Sequence, residues 1–131
     1  MLHHLTLWVP DRDRARQSWS WLLGKLGYDL DTSVGPVLLF RHPGGFSVAL
    51  EQSPDMVPGM LYSRFRPGLN HLAFRVDGEH ALAEIVRDAP DHGWSEMKTG
   101  DQHPITGGAE VVYLEDRDGF EVELVTAPAR G

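Results

Sequence analysis

The sequence predicts an α+β protein made of two copies of one βαβββ module, and three observations carry that expectation. Two runs of alternating character open on a histidine, His4-Leu5-Thr6-Leu7-Trp8-Val9 and His71-Leu72-Ala73-Phe74-Arg75-Val76. Each is followed by a stretch with helical apolar spacing and then by three short strand signals. Each half closes on a Gly-Phe strand opening, Gly45-Phe46-Ser47-Val48-Ala49-Leu50 and Gly119-Phe120-Glu121-Val122-Glu123-Leu124. A strand followed by an amphipathic helix is common, so one half alone would say little. Agreement in element order, histidine position and Gly-Phe turn marks an internal repeat.

Along the chain, Leu2 to Val9 alternates with Leu5, Leu7 and Val9 on one face and His4, Thr6 and Trp8 on the other, the period of a half-buried strand. Pro10 ends it, and Asp11 is placed to cap a helix carrying Ala15, Trp19, Leu22, Leu23 and Leu26 until Gly27 stops it. Strands are expected at Tyr28 to Ser33, Pro36 to Arg41 and Phe46 to Gln52, with Gly35 and Gly44-Gly45 in the turns. Residues 53–68 hold three prolines and no clear period, which predicts a connector between a first module at 1–52 and a second at 69–127. Leu69 to Val76 restarts the pattern. Asp77 is expected to cap a helix bearing Ala81, Leu82, Ile85 and Val86, ended by Pro90 to Gly93. Strands follow at Trp94 to Lys98, Glu110 to Glu115 and Phe120 to Thr126.

Composition limits what such a chain can do. At this length the fold can bury roughly two thirds of the surface exposed by the unfolded chain, enough for one domain with a stable core. Asp and Glu outnumber Lys and Arg by 19 to 12, and the basic residues are scattered, so a nucleic-acid partner is not expected. The absence of cysteine excludes disulfides, thiolate metal sites and a cysteine nucleophile. No apolar run approaches a membrane span and Met1-Leu2-His3-His4 lacks signal-peptide character, which predicts a soluble cytoplasmic protein.

The chemistry follows from the faces. Each opening strand must bury its apolar side against its own helix, so His4 and His71 turn to the opposite, concave side. In the last strand Val122 and Leu124 bury, which turns Glu121 and Glu123 the same way. If the concave faces come together, two imidazoles and a carboxylate converge as a facial triad suited to Fe and acceptable to Mn, Ni, Co or Zn. A hydrogen-bonded structural histidine and a solvated Glu123 are the plainer alternatives. His3 falls on the other face from His4 by alternation. Trp8, Thr6, Arg75 and Ser47 face the concavity and could line a pocket. His42 and His92 sit beside Pro or Gly in turns and receive no role.

With HHLTLWVPD, NHLAFRVDG and YLEDRDGFEVEL in its halves, the chain resembles, over nearly its whole length, the vicinal oxygen chelate superfamily, also called glyoxalase/bleomycin resistance/dioxygenase. The resemblance implies that the βαβββ modules pair into a curved, cleft-forming mixed sheet with one divalent metal ion inside. Members place ligands in the first and last strands of each module, which maps onto His4, Ala49, His71 and Glu123. Ala49 departs from that pattern. Glyoxalase and methylmalonyl-CoA epimerase resemblances need a carboxylate or amide there, and Glu51 on the same face could substitute only through a shifted geometry.

The remaining His, His, Glu set is similar to that of extradiol dioxygenases and fosfomycin-resistance thiol transferases, which also tend to carry a tyrosine where Tyr113 stands, ten positions before Glu123. Tyr113 could equally be a cross-strand packing aromatic. His103, in a Gly-containing loop, could act as an acid/base group or stand solvated. The resemblance implies a metal-dependent enzyme acting on a small molecule by dioxygenase-like or lyase-like chemistry. The alternative is a metal-free small-molecule or antibiotic-binding protein of the bleomycin-resistance kind. Because such clefts can close within one chain or between two, a homodimer is expected.

Overall fold

Alternation in the opening run produces strand β1 (His4–Trp8), in which Leu7 is buried while His4, Thr6 and Trp8 are exposed. The structure, a computed structural model, describes residues 1–97 and 110–126. Contacts divide the chain into two units, Met1–Tyr62 and Ser63–Gly131.

In the first unit β1 is followed by helix α1 (Arg12–Lys25) and strands β2 (Asp29–Asp31), β3 (Leu38–Arg41) and β4 (Ser47–Glu51). Asp11 caps α1 as expected, its carboxylate accepting from the Arg14 N–H at 2.9 Å. Asp13 in the first turn and Lys25 in the last match the helix dipole. At the other end Gly27, with φ at 89°, lets the chain reverse: its N–H reaches the Gly24 carbonyl and the Tyr28 N–H reaches that of Leu23. This paired closure needs a left-handed residue, which is why a glycine stands there. Replacing Asp11 with Ala should cost about 1 kcal/mol of stability, read from urea unfolding; no change would mean that water caps the helix equally well.

The sheet order is β1-β4-β3-β2, with β1 and β4 parallel and the other pairs antiparallel. Register sorts side chains into two faces. Leu7, Leu50 and Leu38 form one row, Leu5, Val48 and Phe40 the next, and this face packs against Ala15, Trp19, Leu22 and Leu23 of α1. The opposite face carries His4, Ser47 and Arg41 in one row and Thr6, Ala49 and Leu39 in another.

The second unit repeats the order with β5 (His71–Val76), α2 (Glu79–Asp88), a 3-10 turn (Ala89–His92), β6 (Trp94–Met97), β7 (Val111–Asp116) and β8 (Glu121–Thr126). Its sheet runs β5-β8-β7-β6, again with first and last strands parallel. Leu82 and Ile85 of α2 bury beside Val122 and Leu124. The expected cap at Asp77 is corrected. Gly78 occupies the cap position with φ at 96°, no side chain caps the helix, and α2 begins at Glu79. The reason is a tight turn in which the Gly78 N–H bonds the Val76 carbonyl at 3.0 Å, leaving Asp77 one residue too early. Several strands are also shorter than the apolar pattern, β2 by half, while β7 is shifted by one residue to Val111–Asp116. Each half is thus a βαβββ module with a four-stranded mixed sheet. Among the described residues no helix is long and apolar enough to cross a membrane.

Candidate functional site

The face of the second sheet opposite α2 is built by register. His71 of β5 lies level with Glu121 of β8 and Glu115 of β7, and Ala73 lies level with Glu123 and Tyr113. His71 and Glu123 are therefore one pleat step apart on adjacent parallel strands, and their side chains meet: Nε2 of His71 is 2.9 Å from Oε2 of Glu123. The Tyr113 ring stands edge-on to the His71 ring, with centroids 6.5 Å apart.

Glu123 is 1% exposed, the most deeply buried carboxylate among the described residues. Its Oε2 lies beside the His71 ring, and neither Oε1 nor Oε2 has a hydrogen-bond partner among the described residues. A buried carboxylate with unmet oxygens is costly unless a cation or donor supplies what is missing. On the other side of the ring, Nδ1 of His71 lies 2.7 Å from Oδ1 of Asn70. Both ring nitrogens thus face oxygens that accept. A neutral imidazole has one N–H to give, so one contact must be completed by a second proton or by a metal ion.

The first sheet supplies the counterpart positions. Ala49 pairs with Thr6 and Leu39 as Glu123 pairs with Ala73 and Tyr113, so where the second module has an acid and a phenol the first has methyl and isobutyl groups. This face opens onto a cavity of about 320 Å³, with His4, Thr6, Val37, Leu39, Ser47 and Ala49 among its lining. Thr6 and Ser47 line it as the alternation implied, while Trp8 and Arg75 are exposed. His3 is corrected. It precedes β1, where strand alternation no longer applies, and it shares the cavity wall with His4, their Nδ1 atoms 2.9 Å apart. Arg41, also in this wall, pairs with Asp31 at 2.9 Å. The Ser33 hydroxyl and N–H and the Arg41 guanidinium together hold the Asp31 carboxyl down to about 2.

Of the expected ligands, the structure brings together His71 and Glu123 within the second unit, while His4 belongs to the first. Among the described residues no three His, Asp or Glu side chains gather into an ion-holding group. Tyr113 adjoins the pair; His103 lies outside the described residues. Two contributors were missed by sequence reasoning. Asn70 adjoins His71, and Arg64 is a largely buried cation from the connector that pairs with Glu115 at 3.3 Å and Glu121 at 3.8 Å. An amide immediately before the strand histidine, and an arginine upstream of two glutamates on one sheet face, were the available signals.

The donor set tests well against a divalent ion. One imidazole nitrogen and one carboxylate oxygen are chemically right, and two atoms about 2.1 Å from one ion at a right angle would lie about 3.0 Å apart, close to the spacing seen. The Glu123 carboxylate, without a hydrogen-bond partner on either oxygen, is the orphaned group such an ion would satisfy.

Two βαβββ sheets, each with its first and last strands paired in parallel, define the glyoxalase/bleomycin resistance class of fold. The chain belongs to the Glyoxalase/Bleomycin resistance protein/Dioxygenase superfamily, whose sequence profile it matches over residues 3–113. It is 31% identical over 127 residues to the uncharacterized protein YqjT of Bacillus subtilis (strain 168), covering 95% of this chain and 97% of that one. Among solved structures, a candidate glyoxalase of Bacillus halodurans matches with a TM-score of 0.82 at 30% identity, over 97% of this chain and 96% of its own. A glyoxalase/bleomycin resistance protein of Albidiferax ferrireducens T118 shares the fold with a TM-score of 0.76 at 16% identity, over 96% and 98% of the two chains.

Proposed function

We propose that the chain is a divalent-metal-dependent enzyme of this superfamily that takes a small-molecule substrate by its neighbouring oxygens, with His71 and Glu123 holding the ion and His4 as third ligand. The observation that supports this best is the Glu123 carboxylate, fully buried, facing the His71 imidazole and without a hydrogen-bond partner on either oxygen among the described residues. When bound, a divalent ion would stabilise negative charge developing on a substrate oxygen. The chain's own groups then orient and exclude water. Tyr113 places a phenol ring beside His71 on the row of Glu123, positioned to contact substrate. His103 is the proposed loop acid/base group. With alanine at position 49, the first sheet has no carboxylate or amide base at the position that matches Glu123, which leaves dioxygenase-like or lyase-like turnover to groups of the second. We propose a homodimer as the working form.

A metal-free binding protein is the second reading, and the apolar-walled cavity of the first unit favours it. Its volume of about 320 Å³ is within the range of small-molecule sites. Metal analysis of protein purified without a nickel column separates the two. About one ion per chain, lost in His71→Ala, is expected. An empty wild-type protein that binds an apolar drug tightly would replace the enzyme reading with the second.

A further inference from the structure

We propose that the cavity on the face of the first sheet opposite α1 takes a dipolar small molecule, with an acid at one end, an amine at the other and an apolar body between. This ligand class rests on the reading in which a small molecule enters that face, which both functions given above share; it does not rest on a metal ion.

Strand register sets the order of groups along the cavity. Arg41 lies level with Ser47 and His4, Leu39 with Ala49 and Thr6, and Glu51 with Trp8. Arg41, Ser47, Leu39, Ala49, Thr6 and Glu51 all line the cavity. A cationic end with a hydroxyl, an apolar floor and an anionic end therefore follow one another down the strands. The two charged rows are separated by the length of β4 from Ser47 to Glu51, about 13 Å of backbone, and no ion pair joins Arg41 to Glu51.

Both charges keep capacity for a ligand. Arg41 is held by Asp31 through Nε, at 2.9 Å, and its two terminal amino groups meet no acceptor among the described residues. Asp31 offsets part of the charge and restrains the side chain, while the terminal amino groups are the fork that grips a carboxylate. The Glu51 carboxylate makes no hydrogen bond or ion pair among the described residues. Arg12, which lines a neighbouring hollow with Glu51, is engaged instead by the Pro36 carbonyl at 3.2 Å and by Asp13 at 3.7 Å. Trp8, level with Glu51 and 48% exposed, adds an aromatic ring to the acidic end, a combination that suits an ammonium group.

Molecules with a single charge fit this order less well. An acid without the amine covers Glu51 and gives it no partner, and an amine without the acid does the same to Arg41. A dipolar molecule pairs both ends and lays its carbon body over Leu39, Ala49 and Thr6.

Proton–nitrogen correlation spectra of the whole chain, titrated with three probes of one shape, test the class. The probe 4-(aminomethyl)benzoate carries both charges, 4-methylbenzoate only the acid and 4-methylbenzylamine only the amine. The dipolar probe should bind about tenfold more tightly than either of the others, with shifts at Thr6, Leu39 and Ala49. Glu51→Gln should lower its affinity to that of 4-methylbenzoate, and Arg41→Gln to that of 4-methylbenzylamine. Equal affinity for the three probes, tighter binding of a singly charged one, no shifts on the first sheet, or a preference unchanged in both variants would overturn the proposal. The wild-type series decides it even should Arg41→Gln, which strips Asp31 of its partner, fail to fold. Metal content of the same samples keeps the two readings apart. Dipolar preference in a protein without metal supports this ligand class and removes the enzyme, whereas metal uptake without that preference removes the ligand class alone.

Discussion

Replacing Glu123 with methionine should abolish metal binding and at the same time make the metal-free protein more stable, by about 1–2 kcal/mol. The carboxylate is removed from water, faces one imidazole and has no hydrogen-bond partner on either oxygen among the described residues, so its desolvation is only partly offset. Methionine fills a similar volume without that cost. Metal content measures the first effect, and urea unfolding in the presence of a chelator measures the second. A loss of stability greater than about 1 kcal/mol would show that Glu123 and His71 form a structural ion pair, as removal of one partner from such a pair is destabilising.

The largest loss of stability is expected from Trp19→Ala, at about 3–5 kcal/mol in urea unfolding. Trp19 is fully buried on α1, at the centre of the stripe that faces the first sheet, and its removal opens a cavity the sheet cannot close. Trp8, although also a tryptophan in the same unit, is 48% exposed, and Trp8→Ala should change stability by no more than about 0.5 kcal/mol. Equal losses from the two would mean that the core of this unit is not where alternation and helical spacing place it.

Much of the fold was legible because burial imposes periods on sequence. Leu5 and Leu7 alternating with His4 and Thr6, and Ala15, Trp19, Leu22 and Leu23 at helical spacing, identify which side of each element meets the core. What alternation could not reveal was chain direction at the boundaries. Gly78 displaced the expected cap at Asp77 because a positive φ was needed there, and nothing in a hydrophobicity pattern reports φ. The site was legible in part for the same reason. Strand phase turned His71 and Glu123 to one face, and the repeated Gly-Phe opening put them on matching strands. Asn70 and Arg64 escaped notice because their contribution runs through a backbone carbonyl and through strand register, neither of which is written in residue type. The misplacement of His3 has a similar origin, since a period holds only within a strand and His3 precedes one.

The parallel pairing of β5 with β8 has a consequence for how the protein is made. His71 leaves the ribosome early and Glu123 near the end of the module, and β5 has no other strand neighbour in its sheet. Until β8 is synthesised, a nascent second module carries β5 with bare hydrogen-bonding edges, and the imidazole has no acid to meet. Any premature stop before residue 121 would yield a sticky fragment in which β5 has no partner strand and His71 no carboxylate beside it.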